Sequence, residues 1–324
     1  MNGNGGVHLI LPSYKRLKLF TGLAHPELAF EIASHLGIGV SAMRVDRFKD
    51  GEIRVGIDET VRGVDCFVIQ PTCPPVNDNL MELLIIVDAM RRASAKTVTA
   101  VIPYYGYARQ DRKARARDPI TAKLVANLLV TAGCDRILTV DLHAGQVQGF
   151  FDIPVDPLLG MPILAKYVRD SGLFDCVIAS PDIGGTVRAR AMAQKLGVGL
   201  IVIDKRRVSP NVSEVMNIIG DAKGKTVVLV DDIIDTGGTI VHAAEALHNA
   251  GAKRVFAACT HALLSGQAKD RLSASIIEKT IVTNTIPLSE DRQPERTEVL
   301  SIAPLLGEAI KRIYQDLPVS VLFE

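Results

Sequence analysis

The segment VVLVDDIIDTGGTI (Val227–Ile240) concentrates residues able to do chemistry. An apolar run delivers two adjacent carboxylates, Asp231 and Asp232, then a third, Asp235, before the turn Thr236-Gly237-Gly238-Thr239. Glycines at such a turn let the backbone approach a ligand, and the N–H groups of a helix start attract phosphate. The two threonine hydroxyls add donors. Carboxylates would repel a bare phosphate, but they accept hydrogen bonds from vicinal hydroxyls. Acids beside an anion cradle therefore suit a ligand that has both, a ribose 5-phosphate. The bland alternative is a buried strand, Val227–Val230, whose acids cap the next helix.

Other segments carry charge or ligating groups. DLHAGQVQGFFDIPVD (Asp141–Asp156) sets His143 after a strand end, where a satisfied core or surface histidine is the ordinary case, and ASPDIGG places Asp182 at the end of another strand. RFKDGEIRV (Arg47–Val55) offers Phe48 as a flat face for a base, although a phenylalanine after a strand is more often core. The same segment gives Asp50 and Glu52 as acceptors for an amino group or a ribose. PYYGYARQDRKARARDPITAK (Pro103–Lys123) supplies Arg109, Gln110 and Asp111 for charge-assisted contacts to polyphosphate and for placing a base. Arg112, Arg115 and Arg117 suit solvent or a neighbouring subunit equally. A strand also runs into Lys205, Arg206 and Arg207, and basic loops of this kind commonly close over a transferring phosphoryl group. GDAKGKT (Gly220–Thr226) has one spacer too few for a phosphate-binding loop and precedes a strand, so it is expected to be a turn.

VVLVDDIIDTGGT resembles the phosphoribosyl-diphosphate loop of type I phosphoribosyltransferases and of ribose-phosphate diphosphokinases, also called phosphoribosyl pyrophosphate synthetases. DLHAGQVQGFFDIPVD resembles the hallmark of the diphosphokinases, class I by overall pattern, and separates the two groups. The resemblance runs from about Lys18 to the end of the chain. It implies a diphosphoryl transfer: the C1 hydroxyl of ribose 5-phosphate attacks the β-phosphorus of Mg·ATP, giving 5-phosphoribosyl 1-diphosphate and AMP for nucleotide biosynthesis. It also implies a sugar site at Asp231, Asp232 and Asp235–Thr239 with Arg207, and an ATP site at Phe48, Asp50, Gly51, Glu52, Arg109, Gln110 and Asp111. Lys205 and Arg207 would be catalytic; many relatives have proline where this chain has Val208. His143 and Asp182 would bind Mg2+, a sparse pair that suits an ion which keeps waters and takes phosphate oxygens. By the same resemblance the protein is a hexamer built from dimers, sharing ATP and regulatory sites between subunits, activated by phosphate and inhibited by ADP. Two rivals differ in kind. A phosphoribosyltransferase would need neither the second domain nor the DLHAGQ segment. A catalytically silent regulatory paralogue would have lost metal ligands or the loop lysine, and all of these are present.

The elements that must position these groups alternate. Strands are expected at Lys18–Thr21, Met43–Phe48, Ile53–Ile57, Cys66–Gln70, Val98–Ile102 and Ile137–Asp141, then at Cys176–Ser180, Gly199–Ile203, Val227–Val230 and Val255–Cys259. Helices are expected between them, among them Asn79–Ala93 with Asn77 or Asp78 as N-cap, Gly185–Leu196 and Gly238–Ala250. Apolar strands separated by helices of about 10 to 15 residues signal βαβ units. The fold class is thus α/β: two doubly wound parallel-sheet domains, related as a duplication, of the type I phosphoribosyltransferase-like fold that the resemblance implies. The expected boundary lies in the Pro-rich Asp152–Pro162, giving an ATP-side domain over 1–154 and a sugar-side domain over 155–324. Residues 1–16 are expected to be a disordered leader, and a C-terminal helix near 302–316 to pack back on the first domain. Ligands in such folds sit at the carboxyl ends of strands.

Bulk properties exclude other classes. The 324 residues, 48% hydrophobic, suffice for two cores. A net charge of +1 lacks the basic surplus of a nucleic-acid binder. The most apolar run, Leu80–Met90, is interrupted by Glu82 and Asp88, and no run approaches the roughly 20 residues of a membrane span. The apolar core Val7–Leu11 is followed, not preceded, by positive charge, unlike a signal peptide. Cys66, Cys73, Cys134, Cys176 and Cys259 are odd in number and widely spaced, which points to neither disulfides nor zinc and makes the cytoplasm the expected location.

Overall fold

The structure, a computed structural model, describes residues 16–173, 175–206 and 215–323. In chain order the first half comprises β1 (Leu17–Thr21), α1 (Pro26–Leu36), the hairpin β2 (Met43–Arg47) and β3 (Ile53–Ile57), β4 (Asp65–Ile69), α2 (Val76–Arg92), β5 (Thr97–Ile102), α3 (Thr121–Ala132), β6 (Arg136–Val140) and β7 (Val155–Leu158). Its main sheet is parallel throughout, in the order β1-β4-β5-β6-β7. Successive side chains point to opposite faces of a strand. Phe20, Val68 and Ala100 accordingly pack into a core shared with α2 and α3. Leu19, Phe67, Ile69 and Val101 pack on the other face, against α1 and the last helix of the chain, α8 (Ala303–Tyr314). The close fit of α8 on α1 needs a glycine: a Cβ on Gly307 would stand 2.5 Å from the His35 ring.

The second half holds α4 (Met161–Asp170), β8 (Cys176–Ser180), α5 (Thr186–Leu196), β9 (Leu200–Arg206), β10 (Val215–Ile219), β11 (Thr226–Ile234), α6 (Gly238–Asn249), β12 (Arg254–Ala262), α7 (Ala268–Ala274), β13 (Thr280–Thr283) and β14 (Thr297–Leu300). The sheet order is β10-β9-β8-β11-β12-β13-β14, and β10 alone runs antiparallel. Helices α4 and α5 cover one face with Leu164, Val168, Ala189 and Met192; α6 covers the other with Ile240, Ala244 and Leu247. The α/β class with two wound parallel sheets is as the sequence implies.

Details depart from expectation for local reasons. Val155–Leu158, placed by sequence in the sugar-side domain, is the edge strand of the first sheet, pairing with Ile137–Val140. Pro157 conceals it, since a proline is tolerated in a sheet chiefly at an edge. Strand β11 runs four residues past Val230, because Ile233 and Ile234 continue the ladder opposite His261 and Ala262, so Asp231 and Asp232 lie within the strand. Helix α2 starts at Val76 after Pro75, with no side-chain cap from Asn77 or Asp78; a proline at that position already fixes the entry backbone. Gly220–Lys225 forms the turn between β10 and β11. Of the leader expected over residues 1–16, residues 1–15 lie outside the described residues. Among those described, no helix is long and apolar enough to cross a membrane.

Candidate active site

A cleft of about 350 Å3 lies at the carboxyl end of the second sheet, lined by Asp231–Ile240, Asp182, Gly184, Gly185 and Arg188, and closed from the first half by Arg109 and His143. Residues far apart in sequence thus meet where open α/β sheets bind ligands.

Its floor is an acid pair on β11. Asp231 and Asp232 share one guanidinium: Arg188 of α5 reaches Asp231 Oδ1 with Nη1 and Asp232 Oδ1 with Nη2, each at 3.0 Å. Asp232, 3% exposed, also takes the Nδ1 proton of His143 at 2.7 Å. A carboxylate only accepts, so Nδ1 carries the proton and Nε2 is left for a ligand. Burial and the neighbouring Asp232 push the Asp231 carboxyl up to about 7. Burial works to raise Asp232 too, but its bond to His143 and the Arg188 cation hold it below the usual carboxylate range. His143 is raised in turn by that bond, against the effect of burial. The four groups form one coupled network across the two halves.

The wall is the turn from β11 into α6. Gly237 has φ +75°, a backbone that L side chains rarely adopt, and the helix starts without a side-chain cap. Uncapped first-turn N–H groups are an anion site. Arg271 Nη1 braces the turn by donating to the Thr236 carbonyl at 3.1 Å. Asp235 pairs with Arg109 Nη1 at 2.7 Å. Burial would raise its carboxyl, but Arg109 and Ser265 hold it below the usual range.

The residues singled out from sequence divide into two groups. His143, Asp182, Arg109, Asp231, Asp232 and Asp235–Thr239 come together at the cleft. Phe48, Asp50, Gly51 and Glu52 do not line it. They sit at the tip of the β2–β3 hairpin, where Asp50 Oδ1 accepts from the Glu52 N–H at 3.1 Å and Gly51 turns the chain at φ +96°. Phe48 is 51% exposed, with the Arg54 guanidinium 5.3 Å from its ring. Gln110 and Asp111 also stand off the cleft, bonded to Thr121 and to Gln146 of the DLHAGQ segment. Lys205 occupies the penultimate position of β9, its backbone opposite Met216; Arg207 and Val208 lie outside the described residues. Arg188 escaped the sequence reading. Its signal was faint: one arginine six residues after Asp182, on a helix whose next arginine, Arg190, is exposed.

The fit to a magnesium ion can be judged from the donors. Among the described residues no cluster of three or more His, Cys, Asp or Glu groups could cage a metal. His143 and Asp182 provide two donors, each oriented through its other atom: His143 by Asp232, and Asp182 by the Gly185 N–H at 2.8 Å on Oδ1. Two oriented donors beside a phosphate cradle suit an ion that completes its shell with water and phosphate oxygens.

Comparison with known proteins defines the class. Residues 17–133 match the N-terminal domain of ribose phosphate pyrophosphokinase, and residues 205–324 match the phosphoribosyl synthetase-associated domain. Ribose-phosphate pyrophosphokinase of Bacillus cereus is 58% identical over 307 residues, covering 95% of this chain and 97% of its own. That of Caldanaerobacter subterraneus is 59% identical over 308 residues, covering 95% and 98%. The crystal structure of phosphoribosylpyrophosphate synthetase from Mycobacterium smegmatis matches with a TM-score of 0.89 at 48% identity, over 93% of this chain and 100% of that one. The chain belongs to the ribose-phosphate pyrophosphokinase family.

Proposed function

We propose that this protein makes 5-phosphoribosyl 1-diphosphate and AMP from ribose 5-phosphate and ATP in the cleft at the end of the second sheet. The observation that carries the reading is the convergence of the acid pair, the glycine-threonine turn and His143 in a chain of this family. The sugar hydroxyls donate to Asp231 and Asp235. Its 5-phosphate accepts from the first-turn N–H groups of α6 and from the Thr236 and Thr239 hydroxyls. Arg188 holds both acids of the floor through one guanidinium, so the sugar meets a preset geometry. Such a transfer needs alignment and charge neutralisation more than covalent catalysis.

Arg109, at the cleft mouth, meets the polyphosphate. Lys205, at the penultimate position of β9, and Arg207 meet the charge that develops on the bridging oxygen as AMP leaves. Mg2+, held by His143 and Asp182, would supply charge neutralisation on the phosphates and a lowered pKa at the attacking hydroxyl. The base-binding residues Phe48, Asp50, Gly51 and Glu52 stand away from the cleft of their own chain, which supports a hexamer in which a neighbour's hairpin completes each nucleotide site. Phosphate as activator and ADP as inhibitor belong to the same proposal, as do an ATP-side domain that runs through β7 and a cytoplasmic location. The test is AMP release with and without ribose 5-phosphate, beside Lys205→Ala. AMP that requires the sugar and falls by at least about 100-fold in the variant supports the reading; AMP formed without sugar, or none from folded protein, refutes it.

A further inference from the structure

Beneath the cleft the two halves meet along a buried polar seam. Its centre is His261 of β12, 2% exposed, whose ring stands edge-on to Tyr104 at 5.1 Å. His261 Nε2 lies 3.1 Å from the backbone oxygen of Asp141. A carbonyl only accepts, so Nε2 carries a proton whatever the charge of the ring. Nδ1 lies 2.9 Å from Thr285 Oγ1. The Thr285 hydroxyl also lies 3.0 Å from the Thr260 carbonyl, which accepts from Thr283 at 2.7 Å, so its one proton serves either that carbonyl or Nδ1. Whichever of the two it serves, Nε2 is the donor to the Asp141 carbonyl.

The acceptor stands at an unusual place. Asp141 has φ +39°, a region seldom used by residues other than glycine, and such a backbone persists only where its surroundings over-determine it. From the first half, Asp141 donates to the Leu158 carbonyl at 2.9 Å, and its side chain accepts from the Gly160 N–H at 3.0 Å. From the second half come the Thr260 hydroxyl, on the same carboxylate oxygen, and His261. Two residues on is His143. Strand β12 is also the neighbour of β11: Cys259 is level with Asp231, and His261 with Ile233. One strand thus grips the start of the segment that carries His143 while flanking the acids that His143 must meet.

We infer that His261 is a positioning residue: by donating its Nε2 proton to the Asp141 carbonyl, it fixes the direction in which residues 141–144 enter the cleft, so that His143 reaches Asp232 and presents Nε2 to the ligand. The inference rests on the proposed function only for what His143 binds. Its test is hydrogen–deuterium exchange on full-length protein free of metal and substrate, comparing His261→Phe and His261→Gln with wild type. Phenylalanine keeps the ring and the Tyr104 contact but lacks the donor; glutamine restores an N–H. Exchange over 142–145 is expected to be at least about 10-fold faster in His261→Phe, with β4 and β5 unchanged. The Mg2+ half-saturation of AMP release is expected to rise about 10–100-fold, the range for removing a group that orients a metal ligand, with the KM for ribose 5-phosphate within about 3-fold. Glutamine should return both within about 3-fold of wild type. Thr285→Val, which removes the hydroxyl facing Nδ1, should change both in the same direction and serves if His261→Phe does not fold. Unchanged exchange at 142–145 in a folded His261→Phe overturns the inference, and so does an equal rise in β4 and β5, which marks general loosening. Wild type that makes no AMP would refute the functional reading, while the exchange comparison would still decide this one.

Discussion

Arg188→Met tests whether the acid pair is held as one unit. The guanidinium bonds Asp231 and Asp232 at 3.0 Å each, with side-chain exposures of 23% for the arginine and 5% for Asp232. Removing one partner of a fully buried ion pair costs about 3–5 kcal/mol. Two features reduce that here: Arg188 is partly wetted, and Asp231, already pushed up to about 7, can shed its charge by taking a proton near neutrality. A loss of roughly 2–3 kcal/mol remains, or about 4–12 °C in Tm at 2–4 °C per kcal/mol. The sign of the pH dependence follows. Without the cation, both carboxyls titrate higher in the folded state than with it. A group whose folded pKa is raised above its unfolded value contributes stability in full below the unfolded value and loses it as pH rises through the folded one. The deficit of Arg188→Met should therefore be larger at pH 8 than at pH 6. Urea unfolding of metal-free protein at both values measures it, and Asp231→Asn in the variant background should recover about 1–2 kcal/mol by removing the unpaired charge. A variant as stable as wild type at pH 8, or one that Asp231→Asn does not improve, would refute the shared-arginine account.

Other substitutions probe separate parts of the site. Gly237→Ala forces a left-handed backbone on alanine; the added Cβ meets its nearest atoms at 3.6 Å, so the effect is conformational, about 1–2 kcal/mol in Tm scans, with roughly a 10-fold rise in the KM for ribose 5-phosphate. Arg109→Ala breaks a half-exposed pair with Asp235, so stability should change by less than about 1 kcal/mol while kcat/KM for ATP falls about 100-fold, seen by steady-state kinetics beside a melting curve. Glu82, buried in α2, is raised by burial although the Leu23 N–H at 2.6 Å and Gln70 at 3.0 Å partly oppose this. Its contribution to stability is full below 4.5 and is lost as pH rises through its folded value, so Glu82→Gln should gain on wild type in urea titrations run at increasing pH.

How far the sequence revealed this depends on range. Val227–Val230 is apolar throughout and Val98–Ile102 is apolar but for the buried Thr99, because both faces of a parallel strand are covered, and they could be read as strands directly. β7, β13 and β14 have four residues each, too few for a period to show, and β7 contains a proline. Asp231–Thr239 was legible because the whole cradle is local. Arg188 and His261 were not: the first acts on Asp231, 43 positions away, and the second on Asp141, 120 positions away. Only the packing of the two halves brings such residues to their partners. For Phe48 and Glu52, residue types that suit a nucleotide do not reveal that the hairpin stands off the cleft of its own chain.

Attack of the sugar hydroxyl on the β-phosphorus, as proposed for this cleft, breaks the bond between that phosphorus and the α,β-bridging oxygen. ATP labelled with 18O at the bridge, incubated with ribose 5-phosphate and Mg2+, tests it directly by mass spectrometry of both products. One AMP is expected per 5-phosphoribosyl 1-diphosphate, with the label wholly in AMP. Label in the diphosphate product, or ADP in place of AMP, would contradict it.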